Sequence, residues 1–256
     1  MIESLINLDQ IEKRPSLTFI WAFLVNSIAI IAAIQIQSLP GIGTGTFAVI
    51  FTIIPSVYFI VLLIRREERR EEEQIKAGKI SFWKLHGKDI VMILFYFFGV
   101  TMSFAVWSFA LPVDTFDLQT VKINEIRGIG AATLTGPFMD IFMNNLQVMI
   151  VAFIFSLIFG AGAVFILVWN ASILGVFIGQ FSKSAWEIPL VSLGFLPHGI
   201  PEIGGYVVAA LAGGILSVAI LRKREDILPS VLIDAAKLLI LGIALIALGA
   251  AVEVVL

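Results

Sequence analysis

Cysteine is absent from the 256 residues, and charged residues are scarce at 14%. The first absence excludes a disulfide framework, a thiolate nucleophile and a cysteine-type zinc site. The second lies well below the roughly 25% of an average soluble domain. With 59% of residues hydrophobic and a mean hydropathy of +1.01, there is too little charge to cover a soluble surface, and disorder is excluded. A net charge of −2, from 17 basic and 19 acidic residues, offers no field for nucleic acid. H-E-x-x-H, G-x-S-x-G and P-loop patterns are missing as well. Gly41-Ile42-Gly43-Thr44-Gly45 reads as a turn between apolar runs, since no βαβ unit surrounds it.

What is present is a series of long apolar runs. A spanning helix needs about 20 such residues, which predicts seven spans: 16–37, 46–64, 90–111, 146–159, 163–181, 200–221 and 231–255. The fold expected is therefore an all-α polytopic transmembrane bundle. The fourth run is short and meets the fifth across Gly160-Ala161-Gly162, so one long kinked helix, or a re-entrant pair, is the alternative there. The first run is too long and too uncharged for a signal peptide. Cytoplasmic loops are enriched in Lys and Arg. With the N-terminus inside, the inner loops hold Lys13, Arg14, eight basic residues between Arg65 and Lys88, and Arg222, Lys223 and Arg224. Only Lys122, Arg127 and Lys183 fall outside. Merging the fourth and fifth runs would spoil this bias.

Three regions follow: a three-span region over 1–111, an extracytoplasmic segment over 112–144, and a four-span core over 145–256. Arg65 to Lys88 is expected to continue the second helix on charge pairs such as Glu67–Arg70 and Glu72–Lys76. Ser81 would cap a short interfacial helix at Phe82-Trp83-Lys84-Leu85; a docking arm for a cytosolic partner is the alternative. His86 is expected to be solvated. The outer segment is too apolar for a linker and should lie on the membrane or cap the bundle. Small residues let membrane helices approach closely. They form stripes at Ala171, Gly175 and Gly179, at Gly205, Ala209, Gly213 and Ser217, and at Gly242 and Gly249. These stripes predict a tight unit of spans four to seven, or equally a homodimer seam, with the first two spans peripheral.

An ionisable residue within a span costs about 2.5–3.5 kcal/mol on insertion scales, so each asks for a reason. In Leu196-Pro197-His198-Gly199-Ile200-Pro201-Glu202, His198 and Glu202 are four apart and share a helix face. Pro201 would sit in the first turn of its helix. The topology brings Glu253 to the same outer level, along with Asn144, Asn145 and Gln147 at the start of the fourth helix and Gln180 at the end of the fifth. Asn170 lies deeper. Asp234 and Lys237, at the opposite end, would pair or snorkel. Three readings stay open for His198, Glu202 and Glu253: a tie between helices, a divalent metal site with zinc the plausible ion, or a titrating ion or proton pathway.

The run from Asn144 to Leu256 resembles the stage II sporulation protein M family. The carrying features are Asn144-Asn145, Asn170 followed by Gly175, the Leu196–Glu202 segment quoted above, Gly213-Gly214 and Glu253. The resemblance implies a polytopic membrane protein rather than a soluble enzyme. In spore formers it implies an anchor for cell-wall-degrading partners during engulfment, a role that does not transfer to this chain by likeness alone. It points to Asn145, Asn170, His198, Glu202 and Glu253 as the shared polar set, without roles. Two departures are Ala171, where the family often has glycine, and Pro201. Taken together, the expectation is a multi-pass protein of the cell membrane, non-catalytic, that scaffolds or assembles with protein partners or with itself. The alternative is an ion or small-solute transporter or channel using the same polar site. A membrane-embedded metallohydrolase ranks last.

Overall fold

The structure, a computed structural model, describes residues 14–36, 43–76, 82–130, 136–160, 162–221 and 228–255, without the side chains of 64–76, 82–85 and 126–130. Lys13, Lys79, Ser81, Ala161, Arg222, Lys223, Arg224 and the charge pairs expected between Glu67 and Lys76 therefore lie outside what is described. Lipid offers no partner for backbone N–H and C=O groups, so a spanning chain satisfies them within helices. Accordingly the described elements are helical. They are α1 (Ser16–Ile36), α2 (Thr44–Lys76), α3 (Phe82–Ala110), a 3-10 turn (Val113–Phe116), α4 (Asp117–Gly130), α5 (Pro137–Phe159), α6 (Ala163–Phe181), α7 (Glu187–Leu221) and α8 (Leu228–Val255). All but α4 and the 3-10 turn are long and apolar enough to cross a membrane, which makes seven.

Several boundaries differ from the sequence expectation. α5 starts at Pro137, not Leu146, with the proline in its first turn and Gly136 at φ +87° before it. Asn144, Asn145 and Gln147 therefore sit two turns inside the helix rather than opening it. α7 starts at Glu187, not Ile200, and runs through Pro197 and Pro201. Neighbouring helices re-satisfy the freed backbone groups of such prolines in a membrane. His198 is thus mid-helix, and Pro201 is not in a first turn. α3 begins at Phe82 without a break, so residues 82–85 are its opening turn and not a separate interfacial helix. His86, expected in solvent, is 1% exposed, as is Asp89 three residues on. His86, Lys88 and Asp89 each make an interaction with another residue. Between α5 and α6 the chain breaks at Gly160, whose φ is +65°, and Ser156 Oγ donates to the Gly160 carbonyl at 2.7 Å. Two separate helices, not one kinked rod, follow from that turn.

The glycine stripes are packing devices; those of α7 and α8 join helices of the expected unit, while that of α6 packs against α3 outside it. A Cβ at Gly175 or Gly179 of α6 would overlap the carbonyl oxygens of Thr101 and Ala105 in α3. A Cβ at Gly213 of α7 would lie 2.5 Å from the Phe153 carbonyl of α5, and one at Gly205 would lie 3.0 Å from the Gly242 carbonyl of α8. One sub-bundle is therefore α5, α7 and α8, while α6 belongs with α3 in the other half. Each of these stripes is used inside the chain. α1 has its own small-residue stripe, Ala22, Ala29 and Ala33, all buried; with Asn26 it packs on α3 and α2. At the inner end of α8, Lys237 Nζ meets Asp234 Oδ1 at 2.7 Å, the pairing its spacing predicts.

Polar side chains knit the first three helices. Tyr96 OH donates to Ser56 Oγ at 2.6 Å, Ser56 Oγ to the Thr52 carbonyl at 2.5 Å, and Thr52 Oγ1 to Asn26 Oδ1 at 2.6 Å. Asn26 Nδ2 has no partner among the described residues, so the Thr52 bond is what holds this buried amide. Replacing Thr52 with isosteric valine is expected to cost about 1–2 kcal/mol, the upper part of the range for buried membrane hydrogen bonds. The check is the melting midpoint of the purified protein in detergent. A midpoint equal to that of the parent would mean the ladder contributes no net stability.

Candidate functional site

Three helices converge in the half of the bundle that carries the 112–137 segment, the outer half on the orientation set by the basic loops. Successive turns of α7 present His198, Glu202 and Tyr206 along one face. α8 brings Gly249 and, one turn later, Glu253. α5 contributes Asn145, which is 7% exposed. Gly249 sets the geometry: a Cβ there would overlap Glu202 Cγ and lie 3.0 Å from the His198 carbonyl oxygen. Without a side chain at 249, α8 comes close enough to bring the Glu202 and Glu253 carboxyl groups next to one another.

On its other side Glu202 is backed by a short relay. Tyr206 OH donates to Asn145 Oδ1, which leaves the Asn145 NH2 group free to donate to the Glu202 carboxylate that it contacts. Glu202 Oε1 nevertheless remains buried and without a partner. Glu253 is exposed at the flank of the bundle, next to the exposed residues Ala251, Val254 and Val255. Two neighbouring carboxylates repel one another, and a proton or a cation between them relieves that repulsion. The pair is therefore chemically incomplete as two bare carboxylates.

Of the other expected members, His198 stands one turn before Glu202 on the same face, and Asn170 and Gln180 lie elsewhere. His198 Nδ1 has no hydrogen-bond partner, and its ring stands edge-on to Phe195 at 5.6 Å. Phe195 in turn packs edge-on against Phe177 of α6 at 5.1 Å. Asn170 donates to the Ile166 carbonyl of its own helix at 2.8 Å. Gln180 donates to Thr120 of α4 at 2.8 Å. Among the described residues no three His, Asp or Glu side chains stand together in a way that would hold a metal ion. Sequence reasoning passed over Tyr206, although its place one turn after Glu202 on the same face was a usable signal. It took the buried His86 for a solvated residue and passed over Asp89, since hydropathy gives no signal where a charged loop gives way to an apolar run.

The sequence profile described as stage II sporulation protein M matches residues 91–256. It starts within α3, well before the stretch that carried the resemblance. A protein of Methanocaldococcus jannaschii, described only as uncharacterized, is 34% identical over 122 residues, which is 46% of this chain and 68% of that protein. No solved structure matches the chain.

Proposed function

The chain belongs to the stage II sporulation protein M family, and from that premise we propose that it is a non-catalytic assembly component of the cell membrane, whose acid pair docks a cationic group from a partner's transmembrane segment. The supporting observation is Glu253. It joins Glu202 from the exposed flank of α8, while Glu202 keeps one buried oxygen without a partner. Acids at membrane depth pair with a complementary group or face a water-filled cavity. Of the chain's own donors here, Asn145 faces only the inner carboxyl and Tyr206 donates to Asn145. A lysine or arginine reaching in from a neighbouring helix would complete the pair.

A second reading, cation transport, has an observation of its own. Pro201 has no N–H, so the Pro197 carbonyl lacks its usual helical partner, and Pro197 frees the Leu193 carbonyl likewise. Carbonyl oxygens freed in the turns that precede Glu202 are hard ligands of the kind a cation takes. One experiment separates the two. A photoreactive residue at exposed Ala251 is expected to give a discrete crosslinked adduct in native membranes, reduced at least tenfold by Glu202→Gln with Glu253→Gln. An adduct indifferent to those changes overturns the docking reading. Absence of an adduct together with pair-dependent cation flux in proteoliposomes replaces it with transport, and stoichiometric zinc lost on His198→Ala replaces it with a metal site.

A further inference from the structure

The 3-10 turn and α4 pack against the start of α2 and against α6. Their seated face is Phe116, Gln119 and Ile123, which are 1%, 0% and 5% exposed. Phe116 packs edge-on against Phe104 at 5.8 Å. Gln119 is the anomaly. Its amide nitrogen reaches the Gly45 carbonyl at 3.4 Å and Ser172 Oγ at 3.3 Å, both at the long limit of a hydrogen bond. Its amide oxygen, fully buried, has no partner. It occupies the space that a side chain at Gly45 would fill. The hydroxyl of neighbouring Thr44, itself 2% exposed, is also buried without a partner. At the rim, Gln180 holds Thr120 by a single bond of 2.8 Å. The outward face carries Val113, Leu118 and Val121, exposed by 65%, 49% and 54%.

A permanently closed seat in a helical bundle is apolar or fully paired, because buried polar atoms without partners are costly. This one is neither. Gln119 on the plug and Thr44 on the α2 wall carry polar atoms that lack partners when closed and would be hydrated when open, whereas Ser172 Oγ already donates to the Trp169 carbonyl at 2.7 Å. We propose that the 3-10 turn and α4 form a reversible plug, which lifts to admit water to a small polar vestibule lined by Thr44, Gly45 and Ser172. Seating gains the burial of Phe116 and Ile123 and the Thr120–Gln180 bond. It forfeits the hydration of Gln119 and Thr44, which opposes that gain.

The absence of native cysteine makes the test direct. Ser172→Cys and, as a reference, Leu238→Cys, which is fully buried far from the plug, are placed in nanodiscs and treated with a charged, membrane-impermeant methanethiosulfonate. The Ser172→Cys thiol is expected to react within minutes and at least tenfold faster than the reference. Gln180→Ala, which releases the rim, should accelerate it several-fold. Gln119→Leu, which removes the unpartnered oxygen and keeps the bulk, should slow it about tenfold. Thr44→Cys on the opposite wall should show the same order. A Ser172→Cys thiol no more reactive than the reference in both the parent and the Gln180→Ala backgrounds overturns the plug. Acceleration by Gln119→Leu overturns it too, by making Gln119 an ordinary structural tie.

Discussion

Gly175→Leu is expected to leave no properly packed bundle. The glycine faces the Thr101 carbonyl and Phe104 Cβ of α3 so closely that even a methyl group would overlap them. Overpacking a core commonly costs about 1–3 kcal/mol because side chains can shift. Here the obstructing atom is helix backbone, whose displacement would separate α3 from α6 along the Gly175–Gly179 seam. The cost should therefore exceed about 3 kcal/mol, a large share of a total stability of about 5–15 kcal/mol. Gly194 provides the control, since a Cβ there meets nothing within 4 Å. Gly194→Leu should change stability by no more than about 0.5 kcal/mol. Size-exclusion profiles and melting midpoints in detergent distinguish the two, and equal behaviour would show that the α3–α6 seam is not in backbone contact.

Asn145→Leu should be the most damaging single change near the acid pair. Asn145 accepts from Tyr206 and contacts Glu202, so its loss orphans a buried hydroxyl and a buried carboxyl together. Each group left unpaired costs about 1–3 kcal/mol, and the expected total is about 2–5 kcal/mol. Tyr206→Phe removes only one bond and should cost about 1–2 kcal/mol. The double variant, Asn145→Leu with Tyr206→Phe, should be less destabilised than the sum of the single changes, because the hydroxyl orphaned in the first is absent in the second. Strict additivity in unfolding midpoints would mean that Tyr206 and Asn145 are not energetically linked.

The number of spans was legible because crossing a bilayer demands a length of apolar sequence that a folded core does not. Where α5 and α7 begin was not. Pro201 read as a first-turn residue by rules learned from water, while α7 runs through both Pro197 and Pro201. Glycine spacing showed which face of α6 is close-packed, but a stripe describes only its own helix, and its partner proved to be α3 rather than α5 or α7. The polar level shared by Asn145, Glu202, Glu253 and Gln180 followed from topology. Depth along the membrane can be counted in residues; direction around a helix axis depends on neighbours. That is why Asn145 meets Glu202 while Gln180 turns to Thr120. The buried Asn26–Thr52 bond went unseen for the same reason, since neither residue disturbs the hydropathy of its own span.

The α3–α6 contact also sets a timetable for biogenesis. Ser108 of α3 and the Val176 carbonyl it binds are 68 residues apart in the chain, and α4 and α5 are made in the interval. At a synthesis rate of about 5–20 residues per second, α3 leaves the ribosome roughly 3 to 14 s before α6 can reach it. During that wait its Thr101–Ser108 surface must be shielded by lipid or by the insertion machinery. Nascent chains arrested before and after α6 emerges should accordingly differ sharply in protease sensitivity at α3.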